Sequence, residues 1–182
     1  MDVQTAIRER RAYRSLAPVE VTSGLVNDLV HHASLAPSCF NHQPWRYDFV
    51  YGPRMLQKMH ASLMKGNEWA RAGSMIIAVY TRKDYDCDIK GREYYLFDVG
   101  LSTAFLILRA TELGLVAHPI AGYEEDRVKE ILELEDEVRV ITLVIVGKHT
   151  ETISSILSDK QVEAEETRPE RMPFDRIAHI VR

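Results

Sequence analysis

The stretch REYYLFDVGLSTAFLILRATELGL, Arg92 to Leu115, is the longest regular pattern in the sequence. It contains no proline, and between Leu101 and Leu108 apolar residues cover most of the helical circumference. A helix that is apolar on nearly every side must be buried among other elements. We therefore predict a long helix at the centre of the fold, closed by Gly114.

Shorter patterned segments surround this helix. Four predict helices, because apolar residues recur at helical spacing in residues 2–10, 21–36, 53–64 and 124–134. Three predict strands, because residues 45–51 alternate, residues 74–81 form a continuous apolar run and residues 138–147 are mainly apolar and rich in β-branched residues. Helices outnumber strands and the two do not alternate strictly. We therefore predict an α+β layer fold and not a doubly wound one.

The composition excludes several classes of protein. The 182 residues carry a formal net charge of -4, whereas a general nucleic-acid partner requires a basic face. No apolar run approaches the ~18 residues of a membrane-spanning helix. The charged N-terminal segment also lacks the apolar stretch of a signal peptide. We expect a cytoplasmic protein with no membrane and no nucleic-acid partner.

The two cysteines, Cys39 and Cys87, have neither a CxxC neighbour nor a histidine pair at zinc spacing. We therefore expect no disulfide and no metal site, and we interpret the thiols as those of a protein in a reducing compartment. Cys39 is interpreted as a small packing residue, because a catalytic thiol needs a base and only His42 is close in sequence.

Arginine is concentrated at both ends of the chain, whereas the sequence between them contains acidic runs. The segment RERRAYRS, residues 8–15, brings Arg10, Arg11 and Arg14 together, and planar guanidinium groups suit phosphate or carboxylate oxygens. Basic ends on an acidic body suggest a small anionic ligand held by both. From these residues alone, a solvated helix end that complements the helix dipole is an equally good interpretation.

Two further segments combine polar groups with turn-forming residues. Ser38 to Gln43 is bounded by prolines, and its amide side chains offer both donors and acceptors, which suits a heterocycle or a polyol. Ordinary turn chemistry is the alternative. In GLVAHPIAGYEEDRV, residues 114–128, a proline and a glycine precede an acidic helix start. Backbone N–H groups of residues 120–122 could face a ligand there, or belong to a plain loop. His118 is interpreted as structural.

Five segments in order resemble the nitroreductase family of FMN-dependent oxidoreductases. They are AIRERRAYRSL, APSCFNHQPWRYDFV, GNEWARAGSMIIAV, FDVGLSTAFLILRATELGLVAHPIAGY and RPERMPFDRIAHIVR. The match runs from about Ile7 to the last residue, and five ordered motifs are more specific than any one. The absence of GxGxxG, GxxxxGK and GxSxG motifs disfavours a dinucleotide domain, a P-loop enzyme and an α/β-hydrolase.

The resemblance implies a fold and an assembly. The expected fold is an α+β, three-layer sandwich with a central, mainly antiparallel sheet flanked by helices. Residues 1–148 would form the FMN-binding core, and residues 149–182 a C-terminal arm that docks on the partner subunit of a homodimer. FMN would lie in the subunit interface.

The resemblance also implies cofactor-binding residues. The N-terminal arginine segment would meet the FMN phosphate, ribityl chain and pyrimidine edge, with a further arginine from the tail at the phosphate. The polar segment Ser38 to Gln43, which we call the polar loop, would contact FMN from the other subunit. The segment after His118 would run along the flavin face, with a backbone N–H directed at N5. The residues are Arg10, Arg11, Ala12, Arg14, Pro37, Ser38, Asn41, Gln43, Asn67, Pro119, Ile120, Ala121, Gly122 and Arg171.

The implied activity is hydride transfer from NADH or NADPH through FMN to a nitroaromatic, a quinone or a similar electron-poor small molecule, by a ping-pong mechanism. No catalytic side chain and no metal are expected, and a backbone N–H near Ala121 or Gly122 would stabilise the reduced flavin. Ala12 stands where the family has serine, and Gly73 where it has proline. Alternatives are a low-turnover flavin carrier or sensor, a relative that fragments flavin or removes halide, and an anion-binding module.

Overall fold

The computed structural model describes all 182 residues, and the predicted long helix forms in it. It lies in a layer beside the sheet and not at the centre of the fold. Helix α4 spans Tyr94–Glu112, and Gly114 follows it with a φ of 74°. Nine of its residues are buried. The expectation that the helix is buried on nearly every side is wrong within one chain, because three of its large apolar side chains are exposed: Leu96, Phe97 and Phe105. The left-handed backbone at Gly114 suits a residue without a Cβ atom and ends the helix.

The other predicted helices also form. They are α1 (Val3–Glu9), α2 (Ser23–Ser34), α3 (Pro53–His60) and α5 (Glu125–Leu132). Thr22 caps α2, since its hydroxyl accepts a hydrogen bond from the N–H of Leu25 at 3.1 Å. Pro53 occupies the first turn of α3, where its missing N–H costs nothing. None of the helices combines the length and the apolar character that crossing a membrane requires.

The three predicted strands form the main sheet. They are β2 (Arg46–Tyr51), β3 (Met75–Thr81) and β7 (Arg139–His149), and β3 lies between the other two. The far edge of β7 pairs with β6 (Val116–Ile120) and with β1 (Leu16–Ala17). Every pairing is antiparallel. A small separate hairpin consists of β4 (Asp88–Ile89) and β5 (Arg92–Glu93).

The sheet is the middle layer of a three-layer sandwich. Met75, Ile77 and Val79 of β3 pack with α2 and α4 on one face. Ile76 and Ala78 pack with α3 and α5 on the other. All five are fully buried, and burial of each large apolar side chain contributes roughly 1.5–3 kcal/mol. Two apolar faces need two covering layers, and the predicted α+β sandwich with an antiparallel sheet is confirmed.

Two segments form a helix or a strand that the sequence pattern does not predict. Residues 149–167 look polar and weakly patterned, yet they contain helix α6 (Asp159–Glu166), which begins at a capping box between Ser158 and Gln161. The sequence around residues 120–122 allows interpretation as a plain loop, but the segment before Ala121 forms β6, which pairs antiparallel with the edge of β7. A last short helix, α7, spans Phe174–Ile177.

The structure overturns the expectation about the cysteines. Cys39 and Cys87 form a disulfide, with their Cα atoms 6.2 Å apart and a sequence separation of 48. They meet because both neighbouring segments bind the start of α4. The N–H of Cys39 donates to Asp98 at 2.6 Å, and the N–H of Tyr94 donates to the carbonyl of Cys87 at 3.1 Å. No local spacing in the sequence identifies such a pair. Because the two cysteines are bonded to each other, they no longer support the expectation of a reducing compartment.

Candidate functional site

The two arginine-rich ends of the chain line one cavity of about 170 Å³. We call it the arginine cavity. Its lining residues are Arg10, Arg11, Ala12, Arg14, Ala164, Arg168, Pro169 and Arg171. The four N-terminal residues predicted to bind the cofactor and the predicted tail arginine therefore come together within a single chain.

Helix α6 holds the N-terminal arginine segment in place. The buried carboxylate of Glu165 accepts hydrogen bonds from the backbone N–H groups of Arg14 at 2.6 Å and Ser15 at 3.1 Å. In return, the guanidinium of Arg11 donates to the carbonyl of Ala164 at 2.7 Å. The guanidinium of Arg168 donates to the carbonyl of Arg10 at 2.7 Å. The first part of the C-terminal arm is therefore tied to its own chain.

The arginine cavity carries unneutralised positive charge. None of its arginines forms an ion pair within the chain. Burial lowers the pKa of Arg10 below its usual value, and the nearby charges of Arg168 and Arg171 lower it further. Burial also lowers the pKa of Arg14, although Glu165 opposes that shift. Positive groups that repel one another in a partly buried cavity favour an anionic ligand.

The end of β6 presents free backbone donors. The N–H groups of Ala121 and Gly122 make no hydrogen bond within the chain, whereas the ladder to β7 continues only as far as Ile120. The carbonyl of Gly122 accepts from the side chain of Asn67 at 3.2 Å. A Cβ atom at position 122 would collide with that amide. Asn67 and the segment after Pro119, both predicted to bind the cofactor, are therefore in contact.

His118 connects the end of β6 with the N-terminal arginine segment. Its ring stacks on Trp69 with centroids 4.6 Å apart, and its Nδ1 lies 3.0 Å from the carbonyl oxygen of Tyr13, to which Nδ1–H donates. Burial lowers the pKa of His118 to about 4, so the ring is neutral near pH 7. The arrangement fits a structural histidine that connects β6 to the N-terminal arginine segment.

The predicted polar loop lies apart from the arginine cavity. Ser38 accepts a hydrogen bond from the N–H of Gln43 at 3.0 Å, and Pro37, Asn41 and Gln43 are exposed. Phe40, Asn41 and Gln43 have φ angles of 48°, 60° and 51°, a conformation that costs about 1–3 kcal/mol per residue. No hydrogen bond joins the loop to the cavity within one chain. The structure therefore does not bring Pro37, Ser38, Asn41 and Gln43 to the other predicted site residues.

Glu165 is the site residue that sequence reasoning missed. Its helix follows a visible capping box at Ser158 and Gln161, so a helix start could have been predicted. Its hydrogen-bond partners lie about 150 residues away in sequence, and no local pattern identifies them.

Comparisons with known proteins agree with this architecture. The family model described as "Nitroreductase family" matches residues 7–67 and 49–148. The chain is 24% identical over 184 residues to the Bacillus subtilis protein YdgI, whose name gives it a provisional NAD(P)H nitroreductase activity, and the match covers 81% of this chain and 88% of that protein.

Two solved structures are similar over the whole chain. An oxidoreductase containing FMN superimposes with a TM-score of 0.85 at 28% identity, covering 100% of this chain and 93% of that one. A provisionally named nitroreductase from Exiguobacterium sibiricum, in complex with FMN, has a TM-score of 0.84 at 21% identity, covering 100% and 98%. The second likeness concerns the fold alone.

Proposed function

The chain belongs to the nitroreductase family, and we propose that it is an FMN-dependent oxidoreductase that uses NADH or NADPH to reduce an electron-poor small molecule such as a nitroaromatic or a quinone. The similarity to an FMN-containing oxidoreductase at 28% identity supports the cofactor. The observation that carries the proposal is the arginine cavity, in which arginines from both ends of the chain converge without ion-pair partners.

The arginine cavity suits the phosphate of FMN. A phosphate monoester carries nearly two negative charges near pH 7, and guanidinium groups bind its oxygens with charge-assisted hydrogen bonds of about 1.5–3 kcal/mol each. Arg10, Arg11, Arg14 and Arg171 would hold the phosphate, the ribityl chain and the pyrimidine edge. Ala12 would contribute only its backbone, because it lacks the hydroxyl of the family's serine.

The end of β6 suits the flavin ring. Ala121 and Gly122 present N–H donors that have no partner within the chain, and the absence of a Cβ at Gly122 lets the Asn67 amide pack against this backbone. When bound, FMN would supply the redox chemistry by accepting hydride at N5 and passing electrons to the acceptor in a ping-pong sequence. The protein would bind and orient the flavin and stabilise negative charge on it through these N–H groups. No side chain of the site needs to act as an acid or a base.

A homodimer completes the proposal. The polar loop would reach FMN bound in the other subunit, because it makes no hydrogen bond to the arginine cavity of its own chain. The end of the C-terminal arm would dock on the partner, since its apolar side chains are exposed. These are Met172, Phe174, Ile177, Ile180 and Val181. Location in the cytoplasm stays a prediction.

The absorption spectrum of the purified protein tests the cofactor. We expect a yellow protein that releases FMN on denaturation and contains about one FMN per chain. Steady-state oxidation of NADH and NADPH with a panel of nitroaromatics and quinones then tests the activity. Tight FMN with negligible NAD(P)H consumption would favour the carrier or sensor alternative. A colourless protein that cannot be reconstituted with FMN would overturn both.

A further inference from the structure

A buried carboxylate whose oxygens make no hydrogen bond lies beside the disulfide. The side chain of Asp86 is 0% exposed, and neither of its oxygens has a hydrogen-bond partner. A buried carboxylate without hydrogen bonds is costly, because the charge loses its hydration. Its charged neighbours are His42, whose Nδ1 is 3.4 Å from one oxygen, and the carboxyl of Asp98. The site therefore has room for a further positive partner or for a proton between the two carboxyls.

The groups around Asp86 form a set of metal ligands. The ligand atoms of Cys39, Asp86 and Cys87 lie within 4.8 Å of one another. The Nδ1 atom of His42 is 3.4 Å from the nearer Asp86 oxygen and 3.7 Å from the sulfur of Cys87. Two sulfurs, one imidazole nitrogen and one carboxylate oxygen are ligand types that a tetrahedral zinc ion takes. We call these four residues the thiol cluster.

We propose that the thiol cluster binds one Zn²⁺ when the Cys39–Cys87 disulfide is reduced. A dithiol or phosphine reductant supplies the two electrons that break the S–S bond, and each sulfur takes up one proton from water or the reductant. Both thiols lose their protons when the metal binds, and the two thiolates, the Asp86 carboxylate and the His42 imidazole become the ligands. The disulfide and the zinc site are thus alternative states of the same residues.

Either state fastens the polar loop to the β4–β5 hairpin. Cys39 and His42 belong to the loop that includes Ser38 and Asn41, whereas Asp86 and Cys87 precede the hairpin. A zinc ion would therefore preserve the attachment of the loop when the disulfide is lost. The inference concerns a second site on the chain and does not depend on flavin binding.

Zinc content in the two redox states tests the proposal without any substitution. One sample is reduced with a phosphine under argon and a second is oxidised with diamide; both are incubated with ZnCl₂, desalted and measured by elemental analysis. We expect about one zinc per chain in the reduced sample and at least about tenfold less in the oxidised one. Equal zinc content in the two samples would overturn the proposal, as would a reduced sample without zinc.

Variants and cobalt identify the ligands. Co²⁺ bound to the reduced protein should give thiolate-to-cobalt charge-transfer absorption, and Cys87→Ser and Asp86→Asn should each weaken binding at least about tenfold. His31→Gln, an exposed histidine on α2, is the matched control and should bind like the parent. Circular dichroism establishes that each variant is folded. Unchanged zinc and cobalt binding in folded Asp86→Asn would overturn the assignment of this carboxyl as a ligand.

Discussion

Replacement of Glu165 by alanine should loosen the N-terminal arginine segment and destabilise the protein. The carboxylate accepts two backbone N–H groups, at 2.6 and 3.1 Å, from Arg14 and Ser15. Hydrogen bonds to a charged group contribute about 1.5–3 kcal/mol each, and a buried donor left without an acceptor carries its own desolvation cost. Part of this loss is recovered, because Arg14 is only partly buried and water can reach its N–H.

We therefore expect Glu165→Ala to lower the free energy of unfolding by about 2–4 kcal/mol. Glu165→Gln keeps one acceptor oxygen of similar shape and should lose roughly half as much. Urea unfolding followed by circular dichroism measures both values. Glu163→Ala, on an exposed position of the same helix, is the matched control and should stay within about 0.5 kcal/mol of the parent.

The expected order of stability is parent and Glu163→Ala, then Glu165→Gln, then Glu165→Ala. A Glu165→Ala protein that unfolds at the same urea concentration as the control would refute the reasoning, because the two hydrogen bonds would then contribute nothing net. The two Glu165 variants should also retain FMN less well than the parent and Glu163→Ala, since the arginine segment that Glu165 fastens lines the proposed phosphate site.

Three other predictions concern the proposed cofactor site and its support. The double variant Arg14→Ala/Arg171→Ala should weaken FMN retention at least about tenfold with the fold intact, since each lost charge-assisted hydrogen bond contributes about 1.5–3 kcal/mol. Fluorescence titration of the apoprotein with FMN measures the affinity. Unchanged affinity would show that the phosphate lies elsewhere. Gly122→Ala should destabilise the protein by about 1–3 kcal/mol in urea unfolding, because the new methyl group collides with the Asn67 amide. Adding Asn67→Ala removes that amide and should restore the stability. A double variant that is no more stable than Gly122→Ala would argue against the collision. Burial depresses the folded-state pKa of His118 to about 4. As the pH falls below about 6.5, the histidine is therefore protonated first in the unfolded state, which stabilises that state. About 3 kcal/mol of the free energy of unfolding should be lost by pH 4. Unfolding at a series of pH values should show a shallower dependence for His118→Gln, and an identical profile would contradict this assignment.

Much of the architecture follows from local patterns. The apolar pattern of Arg92–Leu115 predicts a long helix, and α4 forms there, although it lies beside the sheet and leaves part of its apolar surface exposed. The mainly apolar runs at residues 74–81 and 138–147 predict buried strands, and β3 and β7 are the two inner strands of the sheet. These patterns succeed because side chains two, three or four positions apart share a face, so burial leaves a periodic trace in the sequence itself.

The sequence by itself therefore determined most of the helices and the three longest strands, the α+β class and the segments whose residues resemble a known family. Only the tertiary structure decided which distant groups meet: Cys39 with Cys87 and Asp86, and Glu165 with the N–H groups of Arg14 and Ser15. Such pairs arise where loops and helix ends converge after the sheet and its two helical layers have packed. They leave no periodic trace, because the partners lie on different elements and are joined by long-range packing and not by the geometry of one helix or strand.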